Sequence, residues 1–120
     1  MRRPGAGSGG EVLTAPPPDL EAAAELLRAL ANVHRLAIVH ELGTGARCVH
    51  ELVDALGLSQ PLVSQHLRVL RSTHLVRTER RGREIAYSLG DEHVAHIVHD
   101  AIVHAHELRP SRQLSTEEEQ

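Results

Sequence analysis

Aromatic side chains are almost missing from this chain: Tyr87 is the only one, and neither Trp nor Phe occurs. A core must therefore be built from Leu, Val, Ala and Ile. At 120 residues the chain has length for one domain with tails and a single modest core. Such a core suits a small helical domain whose remaining apolar surface is buried between subunits. Cysteine is scarce as well. The lone Cys48 cannot form an intrachain disulfide, which fits a reducing compartment, and a cytoplasmic location is the expectation. No apolar run approaches the length of a membrane span, so no membrane partner is expected. Lysine is absent too, and every basic residue apart from the histidines is Arg.

Net charge is slightly negative, at −3, so the whole-chain balance gives no hint of nucleic acid. Its distribution does. Between Ser59 and Gly90 stand Arg68, Arg71, Arg77, Arg80, Arg81 and Arg83, opposed only by Glu79 and Glu84. The far end is acidic, with Glu117, Glu118 and Glu119. A basic stretch inside an acidic chain is the pattern of a DNA-facing surface.

Composition divides the chain into three parts. Residues 1–18, rich in Gly and carrying Pro16, Pro17 and Pro18, read as a disordered arm, and residues 109–120 as a disordered acidic tail. The domain is expected over 19–108. Asp19 looks like the N-cap of a first helix, and a second is predicted from Val33 to Leu42, stopped by Gly43 and Gly45. A short third helix runs from about Cys48 to Leu56 and ends at Gly57.

Ser59 then caps a fourth helix with Pro61 in its first turn. Leu62, Val63, Leu67 and Leu70 form its apolar stripe, while Gln60, Ser64, Gln65 and Arg68 project elsewhere. Helix, tight turn and polar-faced second helix make a helix-turn-helix. Residues 75–80 and 84–89 alternate as strands around the turn Arg81-Gly82-Arg83, giving a hairpin with an arginine-studded tip. A last helix is expected from about Asp91 to Leu108. The predicted fold is mainly α with a small β-hairpin, a winged helix-turn-helix.

Gln can pair with adenine and Arg with guanine in the major groove, and Ser hydroxyls suit phosphates. The candidate DNA-binding residues are therefore Ser59, Gln60, Ser64, Gln65 and Arg68 on the helix, with Arg80, Arg81 and Arg83 on the wing.

Cys48-Val49-His50-Glu51-Leu52, the run from Leu58 to Leu67, Leu75-Val76, Arg81-Gly82-Arg83 and Tyr87-Ser88-Leu89 together resemble the ArsR/SmtB family of metal-sensing repressors. The likeness extends over about 19–108. It implies a winged-helix homodimer joined through its first and last helices, binding double-stranded operator DNA and repressing metal-homeostasis genes. The sensing site varies within the family and has to be read from the residues.

Ten of the residues are histidines, and five of these fall in the last helix: His93, His96, His99, His104 and His106. His104 and Glu107, three apart, share a helix face and can grip one ion. Asp91 and His93 stand at the other end. Eleven residues separate His93 from His104, roughly 16 Å of helix rise, too far for one ion with bonds near 2 Å. Two copies packed antiparallel would bring Asp91 and His93 of one chain to His104 and Glu107 of the other. Two imidazoles and two carboxylates neutralise a divalent cation and suit Zn²⁺, with Co²⁺ as a mimic. The Asp-x-His, His-x-x-Glu pattern also matches the interfacial zinc site of the family's zinc sensors.

The expected function is a zinc-responsive repressor that binds its inverted-repeat operator as an apo homodimer and is released by zinc. The resemblance further implies a link from zinc-bound His104 to a backbone carbonyl near the end of the reading helix, by position that of His74. Cys48 stands where other family members carry a thiolate of a different site. A weak second site from Cys48, His50 and Glu51 is the lesser reading beside a structural cysteine. His96 and His99 leave Ni²⁺ or Co²⁺ sensing open as an alternative. A zinc buffer would account for the histidines but not for the Gln60–Arg68 face. No enzyme is expected, because the ligand set looks closed and no base or nucleophile stands beside it.

Overall fold

A computed structural model describes residues 18–109. Of the arm read as disordered over 1–18, residues 1–17 lie outside the described residues and Pro18 belongs to a helix; of the tail read over 109–120, residues 110–120 lie outside them. The order is α1 (Pro18–Leu30), α2 (Val33–Leu42), β1 (Arg47–Cys48), α3 (Val49–Leu56), α4 (Gln60–Ser72), β2 (Val76–Arg81), β3 (Glu84–Leu89) and α5 (Glu92–Glu107). None of the described helices is long and apolar enough to cross a membrane.

Helix starts follow local chemistry. The Asn32 carboxamide accepts the backbone N–H groups of His34 and Arg35 at 2.9 and 3.1 Å, so α2 is capped by a residue the sequence reading passed over. Ser59 Oγ accepts from Leu62 N at 3.3 Å, as expected. Asp91 Oδ1 accepts from His93 N at 2.9 Å and Val94 N at 3.3 Å, making Asp91 the N-cap of α5 rather than its first helical residue. At α1 the expectation shifts by a position: the helix already includes Pro18, and Asp19 lies within its first turn. Proline fits there because the first turn leaves its N–H groups unpaired within the helix anyway.

The sheet has three strands in the order β1-β3-β2, all antiparallel. Strand β1 was not expected; two residues are too short to show alternation. It pairs Arg47 with Tyr87 and Cys48 with Ala86. Pairing in the hairpin runs from Val76–Leu89 to Arg81–Glu84, so Arg81 belongs to the strand and the turn is reduced to Gly82-Arg83. Gly82 takes a positive φ of 64° there, which a side chain would resist.

The core gathers Ile38, Val39 and Leu42 of α2, Leu52 of α3, Val63, Leu67 and Leu70 of α4, Leu75 and Val76, and Val94 and Val98 of α5. The reading helix is also tied down by a polar link. Arg35 donates from Nε to the carbonyl of Ala29, while its Nη1 lies 3.2 Å from Nδ1 of buried His66. A guanidinium only donates, so His66 accepts through Nδ1 and is neutral. Burial, reinforced by the Arg35 charge, holds the His66 pKa below its usual value.

The chain crosses from α4 into the wing through a tight point. His74 adopts the left-handed conformation at φ 62°, and Leu75 and Gly90 are joined by a 2.9 Å hydrogen bond from Gly90 N to Leu75 O. A Cβ on Gly90 would lie 2.5 Å from the His74 carbonyl oxygen. The end of the reading helix and the start of α5 are thus pressed backbone to backbone.

Candidate metal centre and nucleic-acid interface

Helix α4 buries Val63, His66, Leu67 and Leu70 against the core. Ser59, Gln60, Gln65 and Arg68 are exposed and Ser64 is half-buried. Arg71, also exposed, follows Ser64 by seven residues and Arg68 by three, so the same face continues to it. The Ser59 hydroxyl already serves the helix cap.

The three wing arginines divide. Arg80 and Arg83 are exposed and make no ion pair among the described residues. Arg81 points back into the protein: Nη1 is 3.3 Å from Glu51 Oε1 and Nη2 donates to the Ala46 carbonyl at 3.1 Å. Adjacent strand residues face opposite sides, and this alternation separates Arg81 from Arg80. Arg81 therefore fastens the wing to the start of α3, a role that spacing along the chain does not reveal.

Cys48, His50 and Glu51 do not converge as a ligand set. The Cys48 thiol, 2% exposed, donates to Glu84 Oε1 at 3.1 Å, and His50 Nδ1 approaches Glu84 Oε2 at 3.5 Å. Glu51 instead accepts from the Cys48 backbone N–H at 2.8 Å. That hydrogen bond, together with the Arg81 charge, lowers the Glu51 pKa. The bond to Glu84, then burial, pushes the Cys48 thiol up. Glu84 is the partner the sequence reading missed. Only the pairing of β1 with β3 brings it to Cys48.

Asp91, His93, His104 and Glu107 are all exposed on α5. They occupy its two ends, the first pair at the N-cap and first turn, the second in the last turn. Asp91 Oδ1 caps the helix, and Oδ2 accepts no hydrogen bond among the described residues. Among the described residues of one chain, no three His, Cys, Asp or Glu side chains are grouped as a metal shell. Beside them α5 exposes Ile97, Ile102 and Val103, and Leu108 follows at 66% exposure. Helix α1 adds Leu20 and Leu27, each more than half exposed. The two halves of the candidate set thus flank apolar surface that the described residues leave uncovered. His74, named for the link to His104, is exposed and has its carbonyl against Gly90, one residue before Asp91.

Comparison with known proteins bears on the family and the fold. The family described as "Bacterial regulatory protein, arsR family" matches residues 32–78, from the start of α2 into β2. The chain is 60% identical over 95 residues to the HTH-type transcriptional repressor SmtB of Mycobacterium tuberculosis, spanning 78% of this chain and 70% of that one. It is 45% identical to the HTH-type transcriptional regulator NmtR of the same organism, over 77% of this chain and 79% of the relative. Among solved structures, the homodimeric winged helix-turn-helix DNA-binding domain of a possible ArsR-family regulator from Mycobacterium bovis superposes with a TM-score of 0.68. That match has 30% identity and covers 79% of this chain and 92% of the other.

Proposed function

Given that the chain belongs to the arsR family of bacterial regulatory proteins, and is a DNA-binding transcription regulator rather than an enzyme, we propose that it is a zinc-sensing repressor in which a homodimer shares two sensing sites. The working domain is 19–108, acting in the cytoplasm, where operators are. The observation that carries the reading is the placement of Asp91–His93 and His104–Glu107 at opposite ends of one exposed, partly apolar helix. Antiparallel pairing of α5 with its copy covers Ile97, Ile102 and Val103 and completes two Asp-His-His-Glu sets at once. Each set neutralises a divalent cation and offers the nitrogen and oxygen donors that Zn²⁺ accepts.

In the apo dimer the two α4 helices present Gln60, Ser64, Gln65 and Arg68 to successive major grooves of an inverted repeat, with Arg80 and Arg83 on phosphates. Zinc favours a dimer geometry in which the heads no longer fit. His104 ligates through one ring nitrogen and uses the other toward the His74 carbonyl, which sits where α4 meets α5. Zinc and DNA must weaken each other by the same factor.

Complementation tests the shared site. A protomer carrying Asp91→Asn and His93→Ala and one carrying His104→Asn and Glu107→Gln each lose tight zinc binding as homodimers. Mixed and purified as the heterodimer, they restore one intact site, read as one tight zinc per two chains in a chelator competition. No recovery in the mixed dimer, or tight binding by either variant homodimer, removes the proposed site.

A further inference from the structure

Three histidines outside the interfacial set border a single groove. It lies between the C-terminal end of α2 and the middle of α5, has a volume of about 290 Å³, and is floored by Val39 and Val98. His40 stands on the α2 side, His96 and His99 on the α5 side, with Thr44 at the rim. All three imidazoles are exposed and none takes part in a hydrogen bond or ion pair among the described residues.

We propose that His40, His96 and His99 form a second cation site, bridging α2 and α5 within one protomer, for a divalent late first-row transition ion. His96 and His99 are three apart on α5, the helical spacing at which two side chains grip one ion. His99 is five residues from His104, about 140° round the helix, and so faces away from that residue, whereas His96 stands about 20° round from Glu107, between the groove and the interfacial face. His40 lies in the last turn of α2, where the helix dipole presents its negative end to a cation. In the metal-free chain the three imidazoles are not grouped as a ligand shell, so the ion has to draw these exposed side chains together across the groove. Neutral imidazole favours zinc, nickel, cobalt or copper over magnesium or calcium. With no carboxylate in the set, the charge of the ion is left to water and anions, so this site binds more weakly than the interfacial one and fills second. Helix α2 also holds the reading helix through Arg35 and His66, so an ion here ties α5 to the reading head of the same chain.

The test is a Zn²⁺ titration of the full chain against a chromophoric chelator. The wild type shows a tight class and a weaker class of one ion per protomer. His99→Ala removes the weaker class, His40→Ala weakens it at least tenfold, and both keep the wild-type melting temperature and the tight class. His104→Asn does the reverse, losing only the tight class. A wild type without the weaker class overturns the proposal, and so does a weaker class indifferent to His40→Ala, which would be a chelate of α5 alone. A tight class that survives His104→Asn counts against the interfacial site and leaves this one standing.

Discussion

Helices α4 and α5 are of similar length and each starts at a side-chain cap, yet they are finished to different degrees. Helix α4 buries four residues against the core, and Arg35 pins its His66 from a neighbouring helix. Helix α5 buries only Val94 and Val98, and leaves Ile97, Ile102 and Val103 about two-fifths exposed. Helix α4 is completed by its own chain, whereas α5 keeps apolar surface that the second copy proposed above would cover. A regulator needs that division. The head must be rigid to hold side chains at groove spacing, and the joint between heads must have more than one available arrangement for a ligand to choose between.

Substitutions at the two helices should separate accordingly. Leu67→Ala, in fully buried surroundings, is expected to cost about 2–5 kcal/mol of stability by removing packing and leaving a cavity. Ile97→Ala should leave the fold intact and instead raise the dimer dissociation constant, seen by sedimentation. Equal loss of melting temperature in the two variants would erase the contrast. At the junction of the helices, Gly90→Ala forces a Cβ against the His74 carbonyl and should destabilise by about 1–3 kcal/mol, measured by urea unfolding.

On the DNA side, Arg83→Ala should weaken operator and random DNA alike and flatten the salt dependence by about one unit of slope. Arg81→Ala should instead act through the wing, lowering the melting temperature with the loss of its Glu51 and Ala46 partners. The smallest expected effect is the pH response of the metal-free protein. Because the folded state lowers the His66 pKa, the unfolded chain binds the proton more readily. Stability is therefore full above the unfolded value near 6.5 and falls as pH drops below it. His66→Gln should reduce that slope between about pH 6.5 and 5, and an unchanged profile would show that His66 does not carry it.

Much of the fold is legible along the chain because its signals are local. The limits of α2, the Ser59 cap and the wing strands follow from periodicity, turn residues and capping side chains within a few positions. What escapes depends on distance. Strand β1 exists only because β3 lies beside it, and Glu84 reaches Cys48 across 36 positions. Arg35 and His66 are 31 apart. The inward turn of Arg81 needs the third dimension to show it. For the four candidate donors of α5, spacing along the chain already puts them too far apart for one ion, and among the described residues they stand at the two ends of the helix.

The most direct test of the sensing account is fluorescence anisotropy of a labelled DNA fragment from the protein's own promoter, titrated with apo protein in the presence and absence of zinc. The label must be on the DNA, since the chain has no Trp. The account predicts tight binding by the apo dimer, weakened at least tenfold by zinc, about 1.4 kcal/mol of coupling, and no such weakening in His104→Asn. Operator binding equally tight with and without zinc would contradict it.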